Sequence, residues 1–138
     1  LSCRKLVPGP RLNALLELRP GEKVYHIVRV RRVDGRPIIY LHNYVPTKVV
    51  PKLTKRQLER SRLFDLIHEL SDSRIDWGRR YFKAVAATDP VAAGLELPIG
   101  SPVLFLEQIV YSTRSVPIEC SNVWIDSRRF DIVAIVNR

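Results

Sequence analysis

Two arginines one residue apart, Arg29 and Arg31, carry the clearest chemistry in this 138-residue chain. They fall in residues 23–33, where Val24, Ile27, Val28, Val30 and Val33 mark a β-strand. Alternate residues of a strand project to one side, so the two guanidinium groups share a face. Paired planar forks suit a carboxylate or a phosphate. The returning strand of the hairpin lays Ile39, Leu41 and Asn43 beside them. A solvated polar sheet face fits the same pattern. Glu119 is the second candidate. It sits inside a strand after Pro117-Ile118, flanked by Cys120 and Val123. A carboxylate there can accept hydrogen bonds from sugar hydroxyls or an amine, although an ordinary exposed glutamate would look no different in sequence.

Other chemistries find little support. His26, His42 and His68 lack the H-x-x-x-H spacing of a metal pair, and Cys3 and Cys120 form no C-x-x-C. There is no G-x-S-x-G, dinucleotide fingerprint or glycine-rich phosphate loop, and the chain holds only 6 glycines. These signals predict no catalytic residue, no metal and no cofactor. Both cysteines lie in strand-like contexts and are expected to be inert buried thiols. The formal charge of +9 attracts anions of any kind. The basic residues are scattered, however, in groups such as Arg29-Val30-Arg31-Arg32, Lys55-Arg56, Arg60-Ser61-Arg62 and Arg79-Arg80. A solvated basic surface accounts for most of them. A nucleic-acid-binding module stands as an alternative, marked by salt-dependent binding.

The elements that position these residues follow from periodicity and breakers. Residues 1–6 suit a short strand, broken by Pro8, Gly9 and Pro10. Leu12, Leu15 and Leu16 recur at helical spacing, and Pro20-Gly21 stops that helix. Asp34-Gly35 signals a hairpin turn between strands 23–33 and 36–45. Thr54 and Gln57 form a capping-box pattern at the start of a short helix. Leu63, Leu66, Ile67 and Leu70 share one face of a second helix, with Ser61 as its expected N-cap. Residues 75–88 suit a long strand. Asp89-Pro90 then looks like a cap followed by proline at the first helical position, opening a helix to about Leu95. Strands at 103–111 and 117–125 make a further hairpin, and 130–136 is expected to be a last strand.

One pattern occurs twice. Leu16-Glu17-Leu18, Gly21, Val24 and Pro37-Ile38 match Leu95-Glu96-Leu97, Gly100, Val103 and Pro117-Ile118 in order, with spacings that agree to within one residue. Each copy is a helix end, a glycine turn and a hairpin. The fold class predicted is therefore α+β: a mostly antiparallel sheet of about six strands, flanked by helices, with an internal pseudo-repeat. The length suits one domain, residues 1–138. No apolar run approaches the ~20 residues needed to span a bilayer. Two cysteines are too few for a secreted disulfide scaffold, so a reducing cytoplasm is expected. The absence of methionine implies a fragment of a longer polypeptide.

Several of these residues also carry a family resemblance. Leu18-Arg19-Pro20-Gly21-Glu22-Lys23-Val24, then Arg29-Val30-Arg31, Asp34-Gly35-Arg36-Pro37-Ile38 and Asn43-Tyr44-Val45-Pro46, resemble the core of the UTRA domain. Gly100-Ser101-Pro102-Val103-Leu104, Glu107, Tyr111 and Pro117-Ile118-Glu119-Cys120-Ser121 resemble its second half. The resemblance covers nearly the whole chain. It implies the effector-binding domain of a HutC-type regulator of the GntR family, with a chorismate-lyase-like fold. It also implies a homodimer and a small-molecule effector. A winged helix-turn-helix domain, absent from this chain, would precede it and bind operator DNA.

In family members that bind phosphorylated sugars, an R-x-R pair holds the anion, which by resemblance assigns Arg29 and Arg31. A serine just before the middle helix assists, and Ser61 or Arg62 is nearest. The family glutamate after Pro-Ile corresponds to Glu119. Two departures stand out. Leu41 replaces a glutamate common four residues after Pro37, and Ile125 replaces a tyrosine common six residues after Glu119. Both make the pocket more apolar, which favours a carboxylate or acyl compound alongside a phosphosugar. The alternative is a chorismate-lyase-like enzyme acting on a carboxylated substrate, distinguished by pyruvate release from chorismate.

Overall fold

Asp34 and Gly35 both adopt positive φ, 50° and 77°, as a two-residue type I′ hairpin turn requires. They join β2 (Val24–Val33) to β3 (Arg36–Pro46). A second hairpin joins β5 (Pro102–Ser112) to β6 (Pro117–Ile125). In a computed structural model describing residues 1–137, these hairpins meet along an antiparallel β3·β6 pairing. β1 (Ser2–Leu6) and β4 (Ile75–Ala86) form the edges, giving the order β1-β2-β3-β6-β5-β4. All pairings are antiparallel.

The order reads the same from both edges, as the internal repeat requires. α1 (Pro10–Leu15) precedes β2 and α4 (Val91–Gly94) precedes β5. Their C-terminal turns share one set of hydrogen bonds. The Leu18 N–H donates to Asn13 O at 2.8 Å, and that of Leu97 to Ala92 O at 2.9 Å. Glu17 and Glu96 each take the left-handed position, with φ of 51° and 52°, so both helices end in a Schellman motif. Gly21 and Gly100 match at 88° and 91°. The repeat is thus a duplicated β–α–hairpin unit, and α2 (Lys55–Arg60) and α3 (Leu63–Leu70) lie between the copies.

Strand alternation separates the core into two faces. Tyr25, Ile27 and Val45 pack against Leu58, Leu63, Leu66 and Ile67 of α2 and α3. On the other face, Val24 and Cys120 pack with Leu16 beyond α1, while Tyr40 and Val103 pack with Val91, Ala92 and Leu95 around α4. The expected capping box at α2 is present. Thr54 Oγ1 accepts from the Gln57 N–H at 3.2 Å, and the Thr54 N–H donates to Gln57 Oε1 at 2.9 Å.

Three local expectations are corrected. Ser61 is the C-cap of α2, with its N–H on Gln57 O, and Arg62 takes the N-cap position of α3. Only these two residues separate the helices, so the serine is consumed by the first. Asp89 is not the cap of α4. Pro90 holds that position, and the helix spans only Val91–Gly94. Residues 130–136 form no strand, although Ile132, Val133, Ile135 and Val136 favour one. β6 already lies between β3 and β5, so no free edge stands next to this segment in the sheet order. Among the described residues, no helix is long and apolar enough to cross a membrane.

Candidate ligand-binding site

β2 and β3 are in register as Arg29 with Leu41 and Arg31 with Ile39; across the sheet centre, Asn43 faces Ser121 and Leu41 faces Val123. Ser121 in turn faces Gln108 on β5. All these side chains project to the face that carries α2 and α3. Where α3 lifts off that face, they floor a cavity of about 660 Å³, with Arg62, Leu63, Phe64 and Asp65 as its roof. That volume lies within the range of small-molecule sites. The two arginines therefore line one cavity. The first turn of α3 borders it too, adding the positive end of a helix dipole. Three arginines against one aspartate leave the wall net positive.

Behind the floor runs a buried polar relay. Arg29 Nη2 donates to Asn43 Oδ1 at 2.9 Å, and Asn43 Nδ2 donates to Glu119 Oε1 at 3.0 Å. Arg29 Nε and Glu119 Oε2 have no hydrogen-bond partner among the described residues. Glu119 is 0% exposed. Burial pushes its carboxyl up to about 7, against the Asn43 hydrogen bond and the charge of Arg29. Burial, then repulsion from Arg31, lowers Arg29, while Glu119 opposes that shift. A guanidinium keeps its charge through such a perturbation.

The structure thus brings Arg29, Arg31, Leu41, Asn43 and Arg62 together around one cavity and leaves three expected residues outside its wall. Glu119 lies behind Asn43 rather than in the lining, and it is not the exposed strand glutamate its sequence also allowed. Ser61 is exposed and turned into the α2–α3 link. Ile125 pairs with Ile39, beyond Val123 and off the wall. Gln108, Ser121, Val123, Phe64 and Asp65 line the cavity without having been singled out. The repeat carried a signal for one of them, because the alignment of Leu16 with Leu95 sets Gln108 opposite Arg29. Alternation from Glu119 points Ser121 and Val123 to the same face.

The histidines build no competing site. His26 Nε2 and His42 Nδ1 share a hydrogen bond of 2.8 Å on the opposite face. Burial, His42 and Arg4 push His26 down to about 4, so the pair is neutral. Of the two cysteines expected to be buried, Cys3 on the edge strand β1 is only partly so, while Cys120 is buried and its thiol is pushed up to about 12, mainly by burial. Such a thiol is a poor nucleophile.

Comparison with known proteins agrees with this architecture. The family model described as the UTRA domain matches residues 1–131. The "Probable fructoselysine utilization operon transcriptional repressor" of Escherichia coli (strain K12) is 23% identical over 133 residues, covering 93% of this chain and 55% of that protein. The chain thus spans about half the length of the curated relatives it matches. The crystal structure described as that of "possible transcriptional regulator YydK" from Bacillus subtilis superposes with a TM-score of 0.91 at 22% identity, over 99% of this chain and 60% of that one. The ligand-binding domain of an inferred GntR-family transcriptional regulator from Bordetella bronchiseptica gives 0.87 at 26% identity, over 100% of this chain and 86% of that one. These relatives are regulators, which sets aside the lyase alternative raised by the fold. A sheet with an open cavity beneath one helix, the duplicated hairpin unit and the family match agree that the chain belongs to the UTRA-domain family, the ligand-binding domain of GntR-type transcriptional regulators.

Proposed function

We propose that this domain senses an anionic small molecule in the cavity beneath α3, within a homodimeric cytoplasmic regulator. A winged helix-turn-helix domain N-terminal to it would contact operator DNA. The observation that carries the reading is the convergence of Arg29, Arg31 and Arg62 on one cavity. A fork-shaped donor pair with no carboxylate clamped to it among the described residues suits a carboxylate or phosphate ligand. Leu41, Ile39 and Val123 supply an apolar floor beside the cations, so the ligand has an apolar part as well as a charge. To regulate, the effector must bind one arrangement of the dimer more tightly than the other.

A thermal-shift screen of phosphorylated sugars, carboxylates and acyl phosphates tests this reading. A ligand that binds the native state raises the melting temperature by mass action. Anions should stabilise the protein, while their neutral parent compounds should not. Stabilisation by neutral sugars or amines alone would contradict the anion assignment.

A further inference from the structure

A fully buried carboxylate normally has both oxygens satisfied. Glu119 satisfies only one. Its Oε1 accepts from Asn43 Nδ2 at 3.0 Å, while its Oε2 has no hydrogen-bond partner among the described residues. Asn43 Oδ1 in turn accepts from Arg29 Nη2 at 2.9 Å. One amide thus joins the buried carboxyl to a guanidinium that lines the anion cavity. The surrounding elements add little charge. Val110 of β5 lies opposite Glu119, and Leu63, Leu66 and Ile67 of α3 close the core on this face. Ser121, two residues along β6, favours the ionised form, as Asn43 and Arg29 do, but burial outweighs all three. Cys120 packs on the other face, where burial keeps its thiol protonated. Arg31 of β2 and Arg62 and Asp65 of α3 are charged, and they border the cavity itself. Among the described residues, Arg29 is the cation that the relay joins to Glu119.

We infer that anion binding in this domain is coupled to a proton. An anion seated on Arg29 and Arg31 competes with ionised Glu119 for the charge of Arg29, so Glu119 takes up a proton from the buffer as the anion binds. The inference rests on the anion reading of the cavity and adds the regulation of that site. Glu119 is a positioning residue here, since it acts through Asn43 and Arg29 and does not line the cavity. Its titration falls in the working range, because burial already holds the carboxyl at about 7. Two unit charges about 10 Å apart, at an effective dielectric constant of about 20, interact by roughly tenfold in an equilibrium constant. By linkage, the anion raises the proton affinity of Glu119 by the same factor as the proton raises anion affinity. Anion affinity is therefore full below about pH 6 and falls as pH rises through about 7 to 8.

The probes are sulfate and hexanoate, neither of which titrates between about pH 6 and 8.5. Tris and triethanolamine are the buffers, with bis-tris for the acid end, because cationic buffers do not compete for the cavity. Calorimetric titration at about pH 7.5 in the first two, whose ionisation enthalpies differ, should show uptake of roughly half a proton per anion. Affinity should fall roughly five- to tenfold between about pH 6 and 8.5. Glu119→Gln keeps an acceptor for Asn43 and loses the titration. It should bind like the parent near pH 6, hold that affinity to about pH 8.5, and give heats that show no proton uptake. Melting curves establish that the variant is folded, and the buffer dependence of the parent needs no variant. Parent heats that show no proton uptake overturn the coupling and leave the anion site standing, as does uptake that survives in folded Glu119→Gln. Binding that is indifferent to Arg31→Ala overturns the anion site itself, as does failure of both probes to bind.

Discussion

Arg31 is exposed and Arg29 half-buried, so the two arginines of one strand do different work. Arg29 is tied to Asn43 and, through it, to Glu119, and is thereby held in place. Arg31 has no such tether among the described residues, which leaves it able to close on a ligand. Replacing Arg31 by alanine should remove about 1.5–3 kcal/mol of binding, the scale of a hydrogen bond to a charged group, or roughly tenfold in affinity. Arg31→Lys should also weaken binding, because a point charge lacks the fork. Arg56→Ala, at an exposed site in α2, should stay within about a factor of two. Titration of the three variants with any anion that stabilises the parent decides the matter. An unchanged affinity in a folded Arg31→Ala protein would make the arginine pair a polar sheet face and nothing more.

Glu119 makes its own prediction. Its folded-state value of about 7 lies above the ordinary carboxylate range, so the native state binds more protons than the unfolded chain between about pH 4.5 and 7. Its contribution is fully present below that window and is lost as pH rises through it, by an amount on the order of 3 kcal/mol. His26, pushed down to about 4, acts in the opposite sense and loses stability as pH falls from 6.5. Glu119→Gln removes only the first effect. The variant should therefore gain melting temperature relative to the parent as pH rises from 5 to 8. Parallel curves for the two proteins would mean that Glu119 is ionised without penalty. None of this was legible in sequence, where alternation gives the face of Glu119 but not the depth of the layer above it. The arginine spacing was legible because strand geometry alone fixes it.

At the level of elements, the duplicated helix end was readable because its hydrogen bonds depend on local chemistry. A left-handed residue must follow the helix, and a Gly turn must come before the strand. The order of β1 and β4 at opposite edges was not readable, since only long-range pairing decides it. The last expected strand failed for the same reason: propensity offers a strand, but pairing requires a free edge. α4 shows what short elements depend on. Gly94 lies so close to the Tyr40 ring that a Cβ there would overlap it. Tyr40 is buried between Val91, Leu95 and Trp124, so the ring has nowhere to go. Gly94→Ala should therefore cost about 1–3 kcal/mol despite the better helix propensity of alanine. Chemical denaturation measures it. A neutral or stabilising effect would show that α4 can slide along β3 without loss.

Across the whole molecule, the apolar surface is unevenly distributed. Val133, Ile135 and Val136 are 78%, 84% and 90% exposed, and their segment pairs with nothing among the described residues. β-branched residues in an extended segment carry the composition of a strand that lacks a partner. Each edge of the sheet offers unpaired backbone groups of the kind that accept such a strand from another copy. In the proposed homodimer, this segment is therefore the element expected to cross between protomers. A chain ending at Arg129 should keep the melting behaviour of the isolated fold, because among the described residues no core cluster includes any of 130–137. The same truncation should weaken self-association by at least an order of magnitude, read by sedimentation equilibrium across a concentration series. A truncated chain that dimerises as tightly as the parent places the interface on another surface. A truncated chain that unfolds shows instead that the segment packs within its own protomer.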